Sequence, residues 1–331
     1  MIQRLVFFGT PDFAVPSLAA LVAAGRAPVL VVTKPDRPAG RGRHRHSPPV
    51  AEWTRERGLP LAQPERVREE SFLTSLRDLG PGIAVVVAFG QIFPRALLSL
   101  PERGCVNLHA SLLPRWRGAA PIPAAIAAGD PITGVTTMQM EEGLDSGPIL
   151  LQEQTPIGER ETADQLFERL AQLGAELLLR TLEGLESGKT LPAPQDPALV
   201  TYAPRLEREG GRVDWRSNAH TLFRQLRALT PWPGLSAELR GKPVKLLWGE
   251  PLSSSAAPRW DQELAAASSP VTEPAAVPPG TFLGIVDEVL AVAAGEGTVF
   301  ALARLQRPGR RAVSAREFAN GEHLGVGERF G

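Results

Sequence analysis

With 331 residues the chain exceeds what one hydrophobic core usually organises, so two domains are expected. Its composition, 43% hydrophobic and 22% charged, is that of an ordinary globular protein, and no apolar run approaches the roughly 20 residues of a membrane span. The 36 basic residues balance 36 acidic ones, which excludes a global field for nucleic acid and leaves only local patches, and the single Cys105 excludes a disulfide framework and a cysteine-based metal cluster.

The first residues, Met1 to Arg4, lead straight into a strand and not a signal sequence, so a cytoplasmic location is expected. Residues 5–9 read as a buried strand. Thr10-Pro11-Asp12 turns it into a helix with Phe13, Leu18, Leu21 and Val22 on its apolar face, ended by Gly25, and residues 29–33 make a second strand. A strand, a tight turn and a helix open a doubly wound, Rossmann-like, mostly parallel α/β sheet. The turn G-T-P-D-F-A is not G-x-G-x-x-G, and Pro11 stands where a pyrophosphate would need close approach, which argues against a dehydrogenase.

From Lys34 to His46 the chain reads KPDRPAGRGRHRH, with Lys34, Arg37, Arg41, Arg43 and Arg45 opposed by Asp36 alone. Its prolines and glycines argue against regular structure, so an exposed, adaptable loop is expected. A solvated surface loop is the plain reading. Arginine mixed with glycine also suits bidentate grip of phosphates and ordering on an RNA partner.

Helices over 47–58 and 69–79 flank the apolar run 83–87, a buried strand of the parallel kind that ends at Ala88-Phe89-Gly90-Gln91-Ile92. Open α/β sheets bind ligands outside such carboxyl ends. Gly104-Cys105-Val106 reads as another short strand, with Cys105 as a small core residue. It runs into Asn107-Leu108-His109-Ala110-Ser111-Leu112-Leu113-Pro114. Side chains at i and i+2 of a strand project to one face about 6.6 Å apart, so Asn107 and His109 can converge on one small group. An amide donor beside an imidazole suits negative charge on a carbonyl oxygen while a proton moves, as acyl or formyl transfer requires. In isolation, N-x-H reads more readily as a strand end whose Asn caps a turn and whose His is half buried. Residues 135–140 alternate as a strand, the loop Glu141 to Gly147 brings Asp145 back to the same rim, and a helix over 162–185 would cover one face. His44, His46, His109, His220 and His323 are scattered, so no metal is expected.

Residues 188–197 are proline-rich and aperiodic and read as a linker. Beyond them, a helix over 218–228 precedes short strands at 235–239, 244–248, 281–286, 289–293 and 298–305, the pattern of a small OB-like β-barrel. Trp215, Trp232 and Trp248 are expected to pack its core. Residues 253–279 form a Ser/Ala/Pro-rich excursion between strands.

N-L-H-A-S-L-L-P, the following Arg115-Trp116-Arg117-Gly118-Ala119-Ala120-Pro121, the later Gly143-Leu144-Asp145-Ser146-Gly147 and the P-A-G-R-G core at 38–42 together resemble the folate-dependent formyltransferase family over nearly the whole chain. The resemblance implies a catalytic set of Asn107, His109 and Asp145. It implies a folate site along Ser111, Leu112, Leu113 and Pro114, with the backbone of Phe89, Gly90, Gln91 and Ile92 against the pterin. The donor would be 10-formyltetrahydrofolate and the acceptor the α-amine of methionyl initiator tRNA, contacted through Arg37, Arg41, Arg43 and Arg45. The implied layout is a catalytic domain at 1–189, a linker at 190–209 and a tRNA-binding barrel at 210–331, in a monomer without membrane attachment. A glycinamide ribonucleotide or amino-sugar formyltransferase would share N-x-H and the folate loop. A non-catalytic RNA-binding protein would keep the basic loop but has no reason to keep the trio.

Overall fold

Buried β-branched and aromatic runs set the first sheet. The computed structural model describes residues 3–39, 44–252 and 277–331. In chain order they form β1 (Leu5–Gly9), α1 (Val15–Ala23), β2 (Leu30–Val32), β3 (Arg37–Ala39), β4 (His44–His46), α2 (Pro49–Glu56), β5 (Leu61–Ala62), α3 (Glu70–Leu79), β6 (Ile83–Val87), α4 (Arg95–Leu98), β7 (Cys105–His109), β8 (Arg117–Gly118), α5 (Pro121–Ala128), β9 (Ile132–Gln139), β10 (Ile149–Pro156), α6 (Ala163–Ser187) and β11 (Tyr202–Ala203). Seven strands make one sheet in the order β10-β9-β7-β6-β1-β2-β5. β5, β2, β1, β6 and β7 run parallel, whereas β9 and β10 are antiparallel. The chain leaves β1 toward β2 on one side and returns to β6 on the other, so the switch point lies between β1 and β6, where Gly9 pairs with Val87. Every residue of β1 and β6 is buried, as a strand covered on both faces requires.

Two features aim the N-x-H strand. Within β7, Leu108 lies on the face opposite Asn107 and His109, and it packs on α6 at Gly174, where a Cβ would stand 2.7 Å from Leu108 Cδ2. Only glycine admits that approach, and the alternation of a strand then turns Asn107 and His109 the other way. β9 is held to the same helix by a 2.8 Å hydrogen bond between the Thr137 and Thr181 hydroxyls.

The basic segment departs from expectation. Instead of irregular backbone, its two arms pair as a hairpin, Arg37 with His46 and Ala39 with His44. Pro38 can occupy such a ribbon because an isolated pair leaves edge positions that need no N–H. The ribbon's base is tied down by Gln63, whose Nε2 donates to Asp36 Oδ1 at 2.7 Å and to the Lys34 carbonyl at 2.9 Å. Those bonds from Gln63, with Ser47 and Arg55, hold the Asp36 carboxyl below the usual carboxylate range. Arg41 and Arg43 lie outside the described residues.

The second body contains Arg205–Gly331 with Pro123–Asp130 and Gly158–Asp164. It comprises α7 (Ala219–Leu229), β12 (Leu235–Leu239), β13 (Lys242–Pro251), β14 (Phe282–Val286), β15 (Val289–Ala293), β16 (Val299–Gln306), β17 (Val313–Ser314) and α8 (Ala315–Glu322). The strands are antiparallel in the order β12-β13-β16-β15-β14, with β17 beside β16. Its two open edges are bridged by residues 327–331: Phe282 N donates to Glu328 O and Phe330 N to Gly280 O on one side, and Gly331 N to Glu238 O on the other. Among the described residues, this bridging of the β12 and β14 edges closes the sheet into the OB-like barrel. Trp215, Phe282, Phe300, Phe318 and Phe330 fill it, with Trp248 packed against them. Trp232 does not join them. It is 55% exposed, because it sits between Pro231 and Pro233 in the turn beyond α7, where the backbone turns it out of the core. Of the excursion at 253–279, residues 253–276 lie outside the described residues.

Candidate active site

At the carboxyl end of β7, His109 is buried and Asn107 half-buried on the same strand face. His109 Nε2 lies 2.9 Å from the Trp116 carbonyl. A carbonyl only accepts, so Nε2 carries a proton, and Nδ1 is the ring nitrogen left for chemistry. Nδ1 faces Asp145 Oδ2 at 3.7 Å, an ion-pair separation beyond hydrogen-bond length. No hydrogen bond occupies the Asn107 carboxamide among the described residues, which leaves its N–H groups for a ligand.

β9 runs antiparallel to β7 and ends level with Val106, yet the loop after it carries Asp145 back to His109. That return has left-handed backbone at Asp145, φ 51°, and the segment after β7 that meets it is left-handed at Trp116, φ 63°. Non-glycine residues so placed cost roughly 1–3 kcal/mol each and persist where the surroundings over-determine them. Here the Gly118 N–H donates to Asp145 Oδ2 at 2.8 Å. Gly118 itself has φ 117°, and a Cβ there would lie 2.6 Å from the Ala203 carbonyl, so both its conformation and the close approach of β11 require glycine.

The loop Ser111 to Pro114 is clamped from beneath. Thr136 Oγ1 donates to the Ser111 carbonyl at 2.6 Å and accepts from Leu113 N at 3.1 Å, while Gln152 Nε2 donates to the Leu113 carbonyl at 2.9 Å. Ser111 Oγ donates to the Arg115 carbonyl at 2.6 Å, Leu113 is buried, and Leu113-Pro114 is a cis peptide.

Residue-family profiles decide the ancestry: formyl transferase matches residues 3–182, and formyl transferase C-terminal domain matches 205–323. The chain belongs to the formyl transferase family. It is 39% identical to a methionyl-tRNA formyltransferase of Thermodesulfovibrio yellowstonii, over 99% of this chain and 98% of that one. To the methionyl-tRNA formyltransferase of Anaeromyxobacter dehalogenans it is 46% identical over 96% and 97% of the two chains, and to that of Pelobacter propionicus 51% over 74% and 76%. Among solved structures it resembles HypX from Aquifex aeolicus in complex with tetrahydrofolic acid, with a TM-score of 0.60 at 18% identity over 98% of this chain and 48% of HypX. It also resembles WlaRD, a sugar 3N-formyl transferase, with a TM-score of 0.64 at 14% identity over 94% and 100%. At such identities the likeness is one of fold.

The other expected ligand residues of the α/β body are placed unevenly. Phe89 is buried, with its ring edge-on to Phe8 and Phe93 at 5.4 and 6.0 Å, so only its backbone is open to a ligand. Its carbonyl accepts from Thr10 Oγ1 at 3.1 Å. Gly90 follows at φ 75°. Gln91 Oε1 accepts from Val67 N at 3.0 Å, an anchoring contact, and Ile92 is 93% exposed. Phe13 meets Phe167 edge-on at 5.1 Å, a packing role. Arg37 is exposed and paired with Glu65 at 3.2 Å, and Arg45 stands opposite Pro38 in the ribbon. Among the described residues no three His, Cys, Asp or Glu side chains converge as metal ligands, and no helix is long and apolar enough to cross a membrane.

Several structural partners escape a motif reading. The Trp116 carbonyl and Gly118 N–H are backbone groups and leave no residue-type signal. Thr136 and Gln152 look like ordinary strand residues. Gln195 lies in the segment read as a linker, yet its Nε2 donates to the Asp145 and Gly147 carbonyls, each at 2.8 Å. That segment is ordered: Ala193 exchanges backbone hydrogen bonds with Ile149, and Arg117 N donates to the Thr201 carbonyl at 2.9 Å. The one available cue was a lone amide among alanines and prolines.

Proposed function

We propose that the chain transfers the formyl group of 10-formyltetrahydrofolate to the α-amine of methionine esterified to initiator tRNA. The observation that carries this reading is the meeting of Asp145 with His109 Nδ1 beside the Asn107 amide. The names of relatives aligned along nearly the full chain supply the acceptor.

The amine attacks the formyl carbon, and the carbonyl π electrons move onto oxygen. Asn107 donates a hydrogen bond to that oxygen, in the manner of an oxyanion hole. His109 Nδ1 takes the amine's proton and passes it to the folate nitrogen as the oxygen's electrons re-form the carbonyl and the bond from the formyl carbon to that nitrogen breaks, while Nε2–H stays on the Trp116 carbonyl. Asp145 faces the imidazolium formed in between and stabilises it. Ser111, Leu112, Leu113 and Pro114, with the backbone of Phe89, Gly90, Gln91 and Ile92, seat the donor. Arg37, Arg41, Arg43 and Arg45 grip tRNA phosphates. In this reading residues 1–189 carry catalysis, 190–209 connect, and the barrel at 210–331 holds tRNA, in a cytoplasmic monomer.

The test is to incubate the protein with 10-formyltetrahydrofolate and, separately, charged initiator tRNA, charged elongator tRNA or glycinamide ribonucleotide. Formylated initiator methionyl-tRNA is the expected product. Formylation of the nucleotide and not the tRNA would overturn the reading.

A further inference from the structure

We infer that Gln195 is a positioning residue that sets the Asp145 carboxylate against His109, an inference that rests on the formyltransferase reading above. Its neighbours from Leu191 to Pro194 and from Asp196 to Leu199 are exposed, and Gln195 alone is turned in. Its carboxamide is saturated. Nε2 donates to the carbonyls of Asp145 and Gly147, both at 2.8 Å, and Oε1 accepts from Arg117 Nε at 3.1 Å and Nη2 at 2.8 Å. A guanidinium only donates and a carbonyl only accepts, so these partners fix which end of the amide is which.

Gln195 thereby joins three pieces of chain that sequence keeps apart. One is the loop bearing Asp145, held at the carbonyl of the left-handed residue itself and again two residues on. The second is Arg117, the neighbour of Gly118, whose N–H fixes the Asp145 carboxylate at 2.8 Å. The third is the strap at 193–203, pinned independently by Ala193 to Ile149 and by Thr201 Oγ1, which accepts from Trp116 N at 2.9 Å. The Trp116 carbonyl in turn orients His109. The amide therefore braces both sides of the His109–Asp145 pair through Arg117 and two backbone carbonyls. Reversal of its charge pattern is diagnostic: a glutamate of the same shape keeps two acceptors for Arg117 but offers no N–H to the two loop carbonyls.

Gln195→Ala and Gln195→Glu are compared with the intact protein by single-turnover formylation of charged initiator tRNA, and by amide hydrogen exchange, which needs no activity. Both variants should lose about 100-fold in the chemical step, as a displacement of about 1 Å at a reacting centre costs. KM for donor and tRNA should stay within about twofold. Exchange should quicken at Gly118, whose N–H is held by the Asp145 carboxylate. In an Asp145→Asn background, Gln195→Ala should cost little more, because the carboxylate it aims is gone. An undiminished loss in that background, a loss confined to KM, or unchanged exchange at Gly118 would overturn the inference. Should Gln195→Ala fail to fold, Gln195→Glu decides by the same readings. A wild-type chain inactive on tRNA would instead strike the formyltransferase reading, while exchange still tests the brace.

Discussion

His109 has one nitrogen to work with because the other is spent. Nε2–H on the Trp116 carbonyl fixes the ring's plane and tautomer, and Nδ1 then falls in the gap before Asp145. Asn107 contributes by position alone, two residues along the same strand face. Losing one oxyanion donor typically costs about 10²–10³ in turnover. Asn107→Ala and His109→Ala are expected to fall at least that far in formylation rate, and near-wild-type rates would be measured if neither touches the reaction. Gly118→Ala should behave like an active-site variant although the residue carries no side chain. Its Cβ would push β11 away and remove the donor on Asp145. A steady-state assay should find kcat down and tRNA affinity nearly kept. Cys105, one strand position from Val106, is inert: burial pushes its thiol from 9.0 up to about 12. Folded protein at pH 8 should resist alkylation until denaturant is added. Because the folded pKa is raised, the linked stability is complete below pH 9 and declines as pH rises from 9 toward 12.

At the scale of elements, β7 is aimed by what lies behind it. Gly174 of α6 lets Leu108 sit against the helix, so the two polar residues on either side of it face the site. Gly174→Leu would overpack that contact and is expected to cost about 1–3 kcal/mol in denaturant unfolding, with formylation impaired beyond the loss of folded protein. Elements whose signal is local were legible in the chain: the apolar runs of β1 and β6, the period of α6 and α7, and the alternating strands of the barrel. Asn107 and His109 were legible as a pair on one face because N-x-H sets their spacing on a strand, whereas Asp145 came from a separate loop and the family resemblance. The rest depends on groups without a residue code or on contacts between distant segments. The strap at 193–203 has the composition of a linker, and only its partners at Ile149 and Trp116 give it order. The hairpin of β3 and β4 was hidden because prolines and glycines disfavour isolated strands, yet one short antiparallel pairing tolerates them at its edge. Trp232 looked like core by its type, but two flanking prolines decided otherwise.

For the whole molecule, the balance of 36 basic and 36 acidic residues means that tRNA attraction must be local. Binding should weaken steeply with salt, since each neutralised phosphate releases counterions. Replacing Arg41 by alanine should lower the slope of log affinity against log salt by about 1 and weaken initiator and elongator tRNA alike. An unchanged slope would remove Arg41 from the tRNA contact. The barrel closes on residues 327–331, which pair with both of its edges, so deleting them should lower barrel stability without touching the formyl site.

The most direct measurement is the single-turnover rate of formyl transfer from saturating 10-formyltetrahydrofolate to charged initiator tRNA, in wild-type protein and in Asp145→Asn, which keeps the shape and removes the charge facing His109. The expected result is formylated methionyl-tRNA from the wild type and a rate roughly 100-fold lower in the variant, with donor and tRNA binding retained. Equal rates in the two proteins would contradict the central claim that Asp145, His109 and Asn107 together move the formyl group.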